Sequence, residues 1–263
     1  MTDAKRLSII IPSFNDPRIA HAIRSTRFFD DNGSVRIVVV DGGSKPDVQR
    51  LIEGLLLADD LFICEPDKGI FDALNKGLAR STTEFIGWLG SDDFYSGKVR
   101  ASQILAGLVS HDLLVANLAH FRGDRITRLT HALPSRIRLA KFGLNNPHFA
   151  TFGRRSLLAS HQFVLGMRSA DIRYFLDVFE TRPRVTTIAE VAVIAEEGGF
   201  STASSRMILA SNSELLGVYA VHIGRFLAPL CIALKLGYKA WSAVYYRLFS
   251  QSVRALCARE VQP

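Results

Sequence analysis

The sequence predicts an α/β protein: a mostly parallel sheet sandwiched by helices, with a helical segment at its C-terminal end. Three observations point there. Short apolar runs, each closed by a turn-forming cluster, recur through residues 1–100. Stretches of helical periodicity separate them. Beyond residue 205 the chain turns aliphatic and aromatic, with cations scattered through it.

Leu7 to Ile11 is a short apolar run stopped by Pro12, and it reads as a buried strand. Arg18 to Phe28 has helical spacing. Val35 to Val40 is a β-branched run ending in the turn cluster Asp41-Gly42-Gly43-Ser44. Val48 to Leu57 is helical, introduced by Lys45-Pro46-Asp47. Leu61 to Cys64 is a third short strand. Ile70 to Leu78 is a helix with apolar residues at Ile70, Leu74 and Leu78. Phe85 to Leu89 is a fourth strand, closed by Gly90-Ser91-Asp92-Asp93. This βαβαβαβ order implies parallel pairing with helices on both faces. Ligands of such sheets bind at the carboxyl ends of the strands. The polar residues gather there: Ser13 and Asn15, Asp41, Asp67 and Lys68, then Asp92 and Asp93.

Past residue 110 the pattern loosens. Leu113 to Leu118 and Arg125 to Leu129 read as strands paired around Gly123-Asp124, and a loop region runs from Pro134 to Pro147. Arg154 to Ser160 and Asp171 to Phe179 read as helices, and Val185 to Ala195 as a strand. From Leu215 to Phe249 the longest uncharged runs, Leu215 to Gly224 and Phe226 to Leu234, are shorter than the roughly 18 residues that span a bilayer. At about 100° per residue, Lys235, Lys239, Arg247 and Arg254 fall in one sector of a helix, with Phe, Leu, Ile, Trp and Tyr around the rest. That pattern suits a helix lying on a membrane surface. A helix packed on the protein's own domain with a solvated basic face shows the same pattern.

The composition narrows the function. Hydrophobic residues are 48% and charged residues 22% of 263, which excludes a disordered, collagen-like or coiled-coil chain. Cys64, Cys231 and Cys257 are odd in number and far apart, so they make neither a disulfide framework nor a metal site. The first residues lack the apolar core of a signal peptide, which makes the cytoplasm the expected compartment. Of the net charge of +7, +5 lies in residues 206–263. Such a tail suits an anionic membrane or a nucleic acid. The apolar filling between its cations favours the membrane and speaks against nucleic acid.

The first strand ends in Pro12-Ser13-Phe14-Asn15-Asp16 instead of a glycine-rich dinucleotide loop, and no P-loop is present. What remains is a set of carboxylates at strand ends. Asp92 and Asp93 are adjacent and repel one another. A divalent cation such as Mg²⁺ or Mn²⁺ would reconcile them, since these ions take hard oxygen ligands and share phosphate oxygens with one or two carboxylates. A turn or helix cap is the alternative reading of the same pair.

Ser-Ile-Ile-Ile-Pro-Ser-Phe-Asn (8–15), Val-Val-Val-Asp-Gly-Gly-Ser (38–44), Glu-Pro-Asp-Lys-Gly-Ile-Phe-Asp-Ala-Leu-Asn-Lys-Gly (65–77) and Phe-Ile-Gly-Trp-Leu-Gly-Ser-Asp-Asp (85–93) follow in this order. His-Phe-Ala-Thr-Phe-Gly-Arg-Arg (148–155), Ser-Ala-Asp (169–171) and Gly-Gly-Phe-Ser (198–201) extend the set. Over residues 7 to 203 the chain resembles the family 2 glycosyltransferases with the Rossmann-like GT-A fold, and most closely bacterial members that build surface polysaccharides.

The resemblance implies transfer of a sugar from a nucleoside diphosphate, UDP favoured, to a hydroxyl of a lipid-linked or saccharide acceptor. It places Pro12, Ser13, Asn15 and Asp41 at the nucleoside, and Asp67, Lys68, Gly69, Asn75 and Lys76 facing the donor. A turn-forming role is the alternative for Asp41, and a surface ion pair for Asp72 and Lys76. Gly90 stands where many relatives carry an acid. Asp93 is then the expected direct ligand of a divalent metal (Mn²⁺ or Mg²⁺). Asp92 is expected as a second ligand or a ribose partner, with Ser91 beside them. Asp171 matches the family's general base for an inverting displacement, with a helix-start acid as the alternative. Arg173 replaces an acid nearby. His148 would lie near the phosphates or order the acceptor loop, and Arg154 and Arg155 would meet phosphate.

The Gln-x-x-Arg-Trp of processive synthases is not matched by Gln251 to Ala255, so one transfer per encounter is expected. The implied organisation is a catalytic domain over 1–205, with a nucleotide-sugar half (1–100) and an acceptor half (101–205). A membrane-associating or oligomer-forming segment follows over 206–263, on the inner face of the cytoplasmic membrane. A sugar nucleotidyltransferase is the rival enzyme class. It would carry a Gly-rich basic loop after the first strand, which this chain lacks.

Overall fold

The computed structural model describes residues 5–132, 147–197, 205–249 and 252–261. The 198–201 motif and nearly all of the 134–147 loop lie outside them. Strand β1 (Leu7–Ser13) is the axis, and all seven of its residues are buried. It pairs in parallel with β2 (Val35–Asp41) on one edge and with β4 (Phe85–Trp88) on the other, and β2 carries β3 (Leu61–Cys64). A strand hydrogen-bonded on both edges and covered on both faces favours apolar side chains, and the polar exception before Pro12, the buried Ser8, accepts a 2.8 Å hydrogen bond from Thr83 Oγ1.

The helices connecting these strands divide the core by the two-residue period of the strand. Leu7, Ile9 and Ile11 join Ile37 and Val39 on one face, under Ile19, Ala22 and Ile23 of α1 (Ile19–Phe29) and Ile104 and Leu108 of α4 (Ala101–Leu108). Ile10, Val38 and Val40 face the other side. There they meet Leu74 and Leu78 of α3 (Ile70–Arg80) and Tyr174 and Phe175 of α6 (Ala170–Glu180). Helix α2 (Pro46–Glu53), started by Pro46 in its first turn, contributes Val48 and Ile52.

The sheet continues beyond β4 with mixed polarity. Its order is β3-β2-β1-β4-β8-β6-β9-β5, with β7 on the outside of β6. Here β5 is Phe94–Tyr95, β6 Leu113–Arg122, β7 Arg125–Thr130, β8 Thr151–Arg154 and β9 Val185–Glu196. Strands β6 and β7 form the expected hairpin around Gly123-Asp124. Strand β8 was not expected: residues 151–154 pair antiparallel with β4 and β6, and the helix read over 154–160 shrinks to α5 (Arg155–Leu158). Tertiary pairing has overridden local propensity there.

The C-terminal segment is two helices, α7 (Ser205–Ile223) and α8 (Ala228–Leu248), followed by the short α9 (Val253–Leu256). Gly224, at φ +99°, breaks the run, and Pro229 lies in the first turn of α8. Two sequence expectations change. Arg254 is on α9, so it does not share a helix face with Lys235 and Lys239. Lys235 is buried and Lys239 half-buried, so the basic sector is no solvated face. Leu230, Leu234, Leu236, Trp241, Val244 and Leu248 face outward instead. No helix among the described residues is long and apolar enough to cross a membrane.

Helix α3 packs on β1 and β2 through Gly77. A Cβ there would stand 2.5 Å from Ile10 Cγ2 and 3.1 Å from Val40 Cγ2. Gly77→Ala gains about 1 kcal/mol of helix propensity but overpacks this contact, which costs about 1–3 kcal/mol. A lowered midpoint of urea unfolding is expected. A raised midpoint would show that the contact yields freely.

Candidate active site

The carboxyl ends of the first strands bring their loops together. In register, Ser13 lies beside Asp41 and Asp41 beside Cys64. The chain leaves β1 toward β2 and later returns on the other side of β1 as β4. At such a switch point the connections diverge and leave a crevice at the strand ends. The loops after β1 and β4 border it.

Asp93 closes the turn after β4, its N–H donating to Gly90 O at 3.2 Å. It is 5% exposed, and its Oδ1 accepts a 3.3 Å hydrogen bond from Glu196 N. Burial, and then the neighbouring Asp92, push its carboxyl well above the usual carboxylate range. Burial raises Asp92 as well. A Cβ on Gly90 would stand 2.6 Å from Asp93 Oδ2 and 3.0 Å from Asp92 Oδ1. The two carboxylates therefore converge on the bare face of Gly90 and form a cradle of hard oxygen donors. This donor set fits Mg²⁺ or Mn²⁺ shared with phosphate oxygens.

Arg18 organises the rest of the cluster. Its Nε and Nη2 donate to Asp16 at 2.9 and 3.0 Å, its Nη1 donates to Glu196, and Nη2 lies 3.8 Å from Asp92 Oδ2. Ser91 Oγ donates to Asp16 Oδ2 at 2.9 Å. Burial alone would raise Asp16, but the Arg18 hydrogen bonds hold it below its ordinary value. Asp16, Arg18 and Glu196 were not singled out from the sequence. Asp16 was within reach, next to Asn15 in the quoted motif. Glu196 is brought in by β9 and carries no local signal.

The donor-side residues are held by one another. Asp41 is fully buried; its Oδ1 accepts from Gly43 N at 3.0 Å and Ser44 N at 2.6 Å, and its Oδ2 from Ser44 Oγ at 2.5 Å. These bonds form the turn. Asn15, at φ +51°, links the loops: its N–H donates to Ser44 Oγ and its Oδ1 accepts from Lys45 N. Pro12 is buried in β1, and Ser13 Oγ is buried with no partner among the described residues. Asp67 Oδ1 accepts from Gly69 N at 2.8 Å, and its Oδ2 lies against Gly42. The Lys68 side chain is exposed. Lys76 donates to Pro66 O at 2.7 Å and pairs with Glu65 at 3.1 Å and Asp72 at 3.6 Å, the ion pair its spacing allowed. Asn75 exchanges two 2.9 Å hydrogen bonds with the backbone of Phe163.

His148 sits in an aromatic box with Trp88, Phe149, Phe163 and Phe175. Its Nε2 is buried without a partner among the described residues, and burial pushes its pKa down to about 3. It is therefore neutral near pH 7 and offers phosphate no charge. Arg154 and Arg155 are not brought to the crevice. Arg154 stands opposite Phe85, at the amino end of β4, and binds Glu84 and the carbonyls of Leu108 and Val109; Arg155 donates to Thr83 O. That edge is the far side of the sheet, so the expected phosphate contact is corrected to a structural one.

Asp171 lies in the first turn of α6, one turn before Phe175. Burial raises its carboxyl, opposed by the Ile172 N–H and by Lys235 and Lys239 of α8. Arg173 pairs with Asp177 at 3.7 Å. Asp177, Glu180 and His222 are the group of three possible metal ligands among the described residues. Both ring nitrogens of His222 already meet carboxylate oxygens, at 2.7 and 3.3 Å, so the group ties α7 to α6.

Asp93→Asn keeps the acceptor for Glu196 N and removes a buried charge whose neutral form the fold prefers. Without divalent cation at pH 7, the variant is expected to unfold at a higher temperature than the wild type. A midpoint equal to or below the wild type would show that the carboxylate carries no penalty.

Comparison with known proteins accords with this arrangement. Residues 8–173 match the family model described as glycosyl transferase family 2. An uncharacterized glycosyltransferase of Mycobacterium tuberculosis is 33% identical over 167 residues, covering 60% of this chain and 62% of its own length. The chain thus spans less than two thirds of that relative. Among solved structures, Staphylococcus aureus TarS 1–349 in complex with UDP superposes with a TM-score of 0.63 at 16% identity, covering 88% of this chain and 70% of that one. The mannosyltransferase PcManGT of Pyrobaculum calidifontis, in complex with GDP-Man and Mn²⁺, gives 0.60 at 15% identity, covering 95% and 77%. At these identities the likeness concerns the fold.

Proposed function

The chain belongs to glycosyl transferase family 2, and on that premise we propose that it moves a sugar from a nucleoside diphosphate to an acceptor hydroxyl in one inverting step. The observation that carries this reading is the cradle at Gly90, two raised carboxylates converging at the switch point of the sheet. The donor nucleoside lies over the ends of β1 and β2, between Ser13, Asn15 and the Asp41 turn. Its diphosphate faces Asp92 and Asp93. These two acids would hold the divalent cation, which would neutralise the leaving diphosphate. The solved relatives complexed with UDP, and with GDP-Man and Mn²⁺, support this choice of ligands.

Asp171 acts as the base. Its raised carboxyl suits a group that takes a proton from an attacking hydroxyl, since catalytic strength peaks when the pKa approaches working pH. Its position at the start of α6 places it beside α8. The aliphatic and aromatic outer face of α7 and α8 and their connector, with Val221, Phe226, Trp241 and Leu248 exposed, supports an acceptor carried on a lipid at a membrane surface. Residues 1–205 would then be the catalytic domain and 206–263 the segment that brings it to the bilayer.

Chelation should abolish nucleotide release from a panel of nucleotide sugars, and Mn²⁺ or Mg²⁺ should restore it for at least one donor. Release that persists in excess chelator would remove the cation from the reaction. For the base, Asp171→Asn is expected to lower turnover by roughly 10²-fold or more, with the donor dissociation constant nearly unchanged. Wild-type turnover in that variant would move the base elsewhere.

A further inference from the structure

Helix α8 carries its two lysines inward, against strand β7. Tyr238 Oη donates to Leu129 O at 2.7 Å and pins the helix there. Lys235 is 8% exposed, and its Nζ meets a neutral partner, Asn212 Oδ1, at 3.2 Å. Arg128 of β7 sends Nη2 to His120 Nε2 at 2.6 Å, while its Nε is buried without a partner among the described residues. Lys239 lies within the field of Arg128, and both lysines lie within the field of Asp171. None of these three cations has a carboxylate within ion-pair distance among the described residues. Glu197, the other acid near Arg128 and Lys239, pairs with Arg122 at 3.5 Å.

Burying like charges together is costly unless an anion joins them. The strain shows on each group. Burial and Lys239 bring the Lys235 ammonium down to about 8, burial lowers Lys239 and Arg128, and His120 is held neutral. A guanidinium fork with two ammonium groups is the chemistry that recognises phosphate.

We propose that Arg128, Lys235 and Lys239 form an acceptor subsite that binds a phosphate or diphosphate beside Asp171. The proposal rests on the glycosyltransferase reading and deepens it: the acceptor carries its sugar hydroxyl on a phosphorylated carrier. Two sources share that chemistry, a phosphate-bearing lipid and a soluble sugar phosphate. The outer face of α8, with Leu234, Leu236 and Trp241 exposed, would take the chain of the first.

The test uses the full chain and inorganic pyrophosphate in metal-free buffer, followed by calorimetry. Lys235→Gln and Lys239→Gln should each weaken pyrophosphate binding about 10-fold or more, by loss of a charge-assisted contact. Lys239→Arg should restore most of the binding. Both Gln variants should bind UDP with Mn²⁺ within about twofold of the wild type, which also reports that they are folded. Unchanged pyrophosphate binding in both Gln variants overturns the subsite, and so does parallel loss of pyrophosphate and UDP binding. A wild type that does not bind UDP, yet binds pyrophosphate through these lysines, refutes the transferase reading and leaves the subsite standing. Co-sedimentation separates the sources. If phosphatidylglycerol vesicles capture the wild type, and pyrophosphate or either Gln substitution weakens capture, the phosphate belongs to a lipid. If capture is untouched while pyrophosphate binding falls, it belongs to a soluble acceptor.

Discussion

The site depends on one constraint: β1 is hydrogen-bonded to parallel neighbours on both edges and buried on both faces. That arrangement forces the chain to depart on one side and return on the other. The place where the loops separate is therefore fixed before any polar residue is chosen. Ser13, Asp41 and Cys64 end in one row because the register is fixed by the apolar residues behind them. A one-residue slip of β1 would send Ile10 into the wrong face of the core and carry the loop after it out of line.

Charge in the molecule is unbalanced in two opposite ways. On one side Asp16, Asp92, Asp93 and Glu196 surround Arg18. Elsewhere Lys235 and Lys239 lie within the field of Asp171, with Arg128 beside the two lysines. A fold selected for stability alone would pair such charges or move them to the surface. Keeping a negative centre at the end of β4 and a positive one beneath α8 gives a polar gradient across the molecule.

Much of this was legible in the sequence. The four parallel strands and their helices declare themselves through apolar runs and turn clusters, because burial on both faces is written into each strand's own residues. The acids at 92 and 93 were visible in the turn cluster that closes the fourth run. Strands β5 and β8 were not: β5 is two residues long, β8 (Thr-Phe-Gly-Arg) is not an apolar run, and both acquire their conformation from partners far along the chain. The lysines of α8 show the complementary failure. A helical wheel places Lys235 and Lys239 on one face but cannot say that β7 covers that face, so the apolar residues point outward instead. Arg154 and Arg155 matched a motif in the linear order, yet pairing with Phe85 sends them to the amino edge. The Asp41 turn shows a residue type whose two readings, structural and functional, look identical until its partners are seen.

The pairing of β5 with β9 has a temporal consequence. Phe94 and Tyr95 align with Ile194 and Val193, and the Asp93 carboxylate accepts a hydrogen bond from Glu196 N. The residues that complete this end of the sheet thus leave the ribosome about a hundred residues after the acid they support. At roughly 5–20 residues per second, Asp93 waits on the order of 5–20 s for its partner during synthesis. In that interval the two adjacent acids stand in water, where repulsion is weak, and the costly burial begins once translation has passed residue 196. The strands around Asp93 are thus made well before the residue whose arrival starts the burial of that acid.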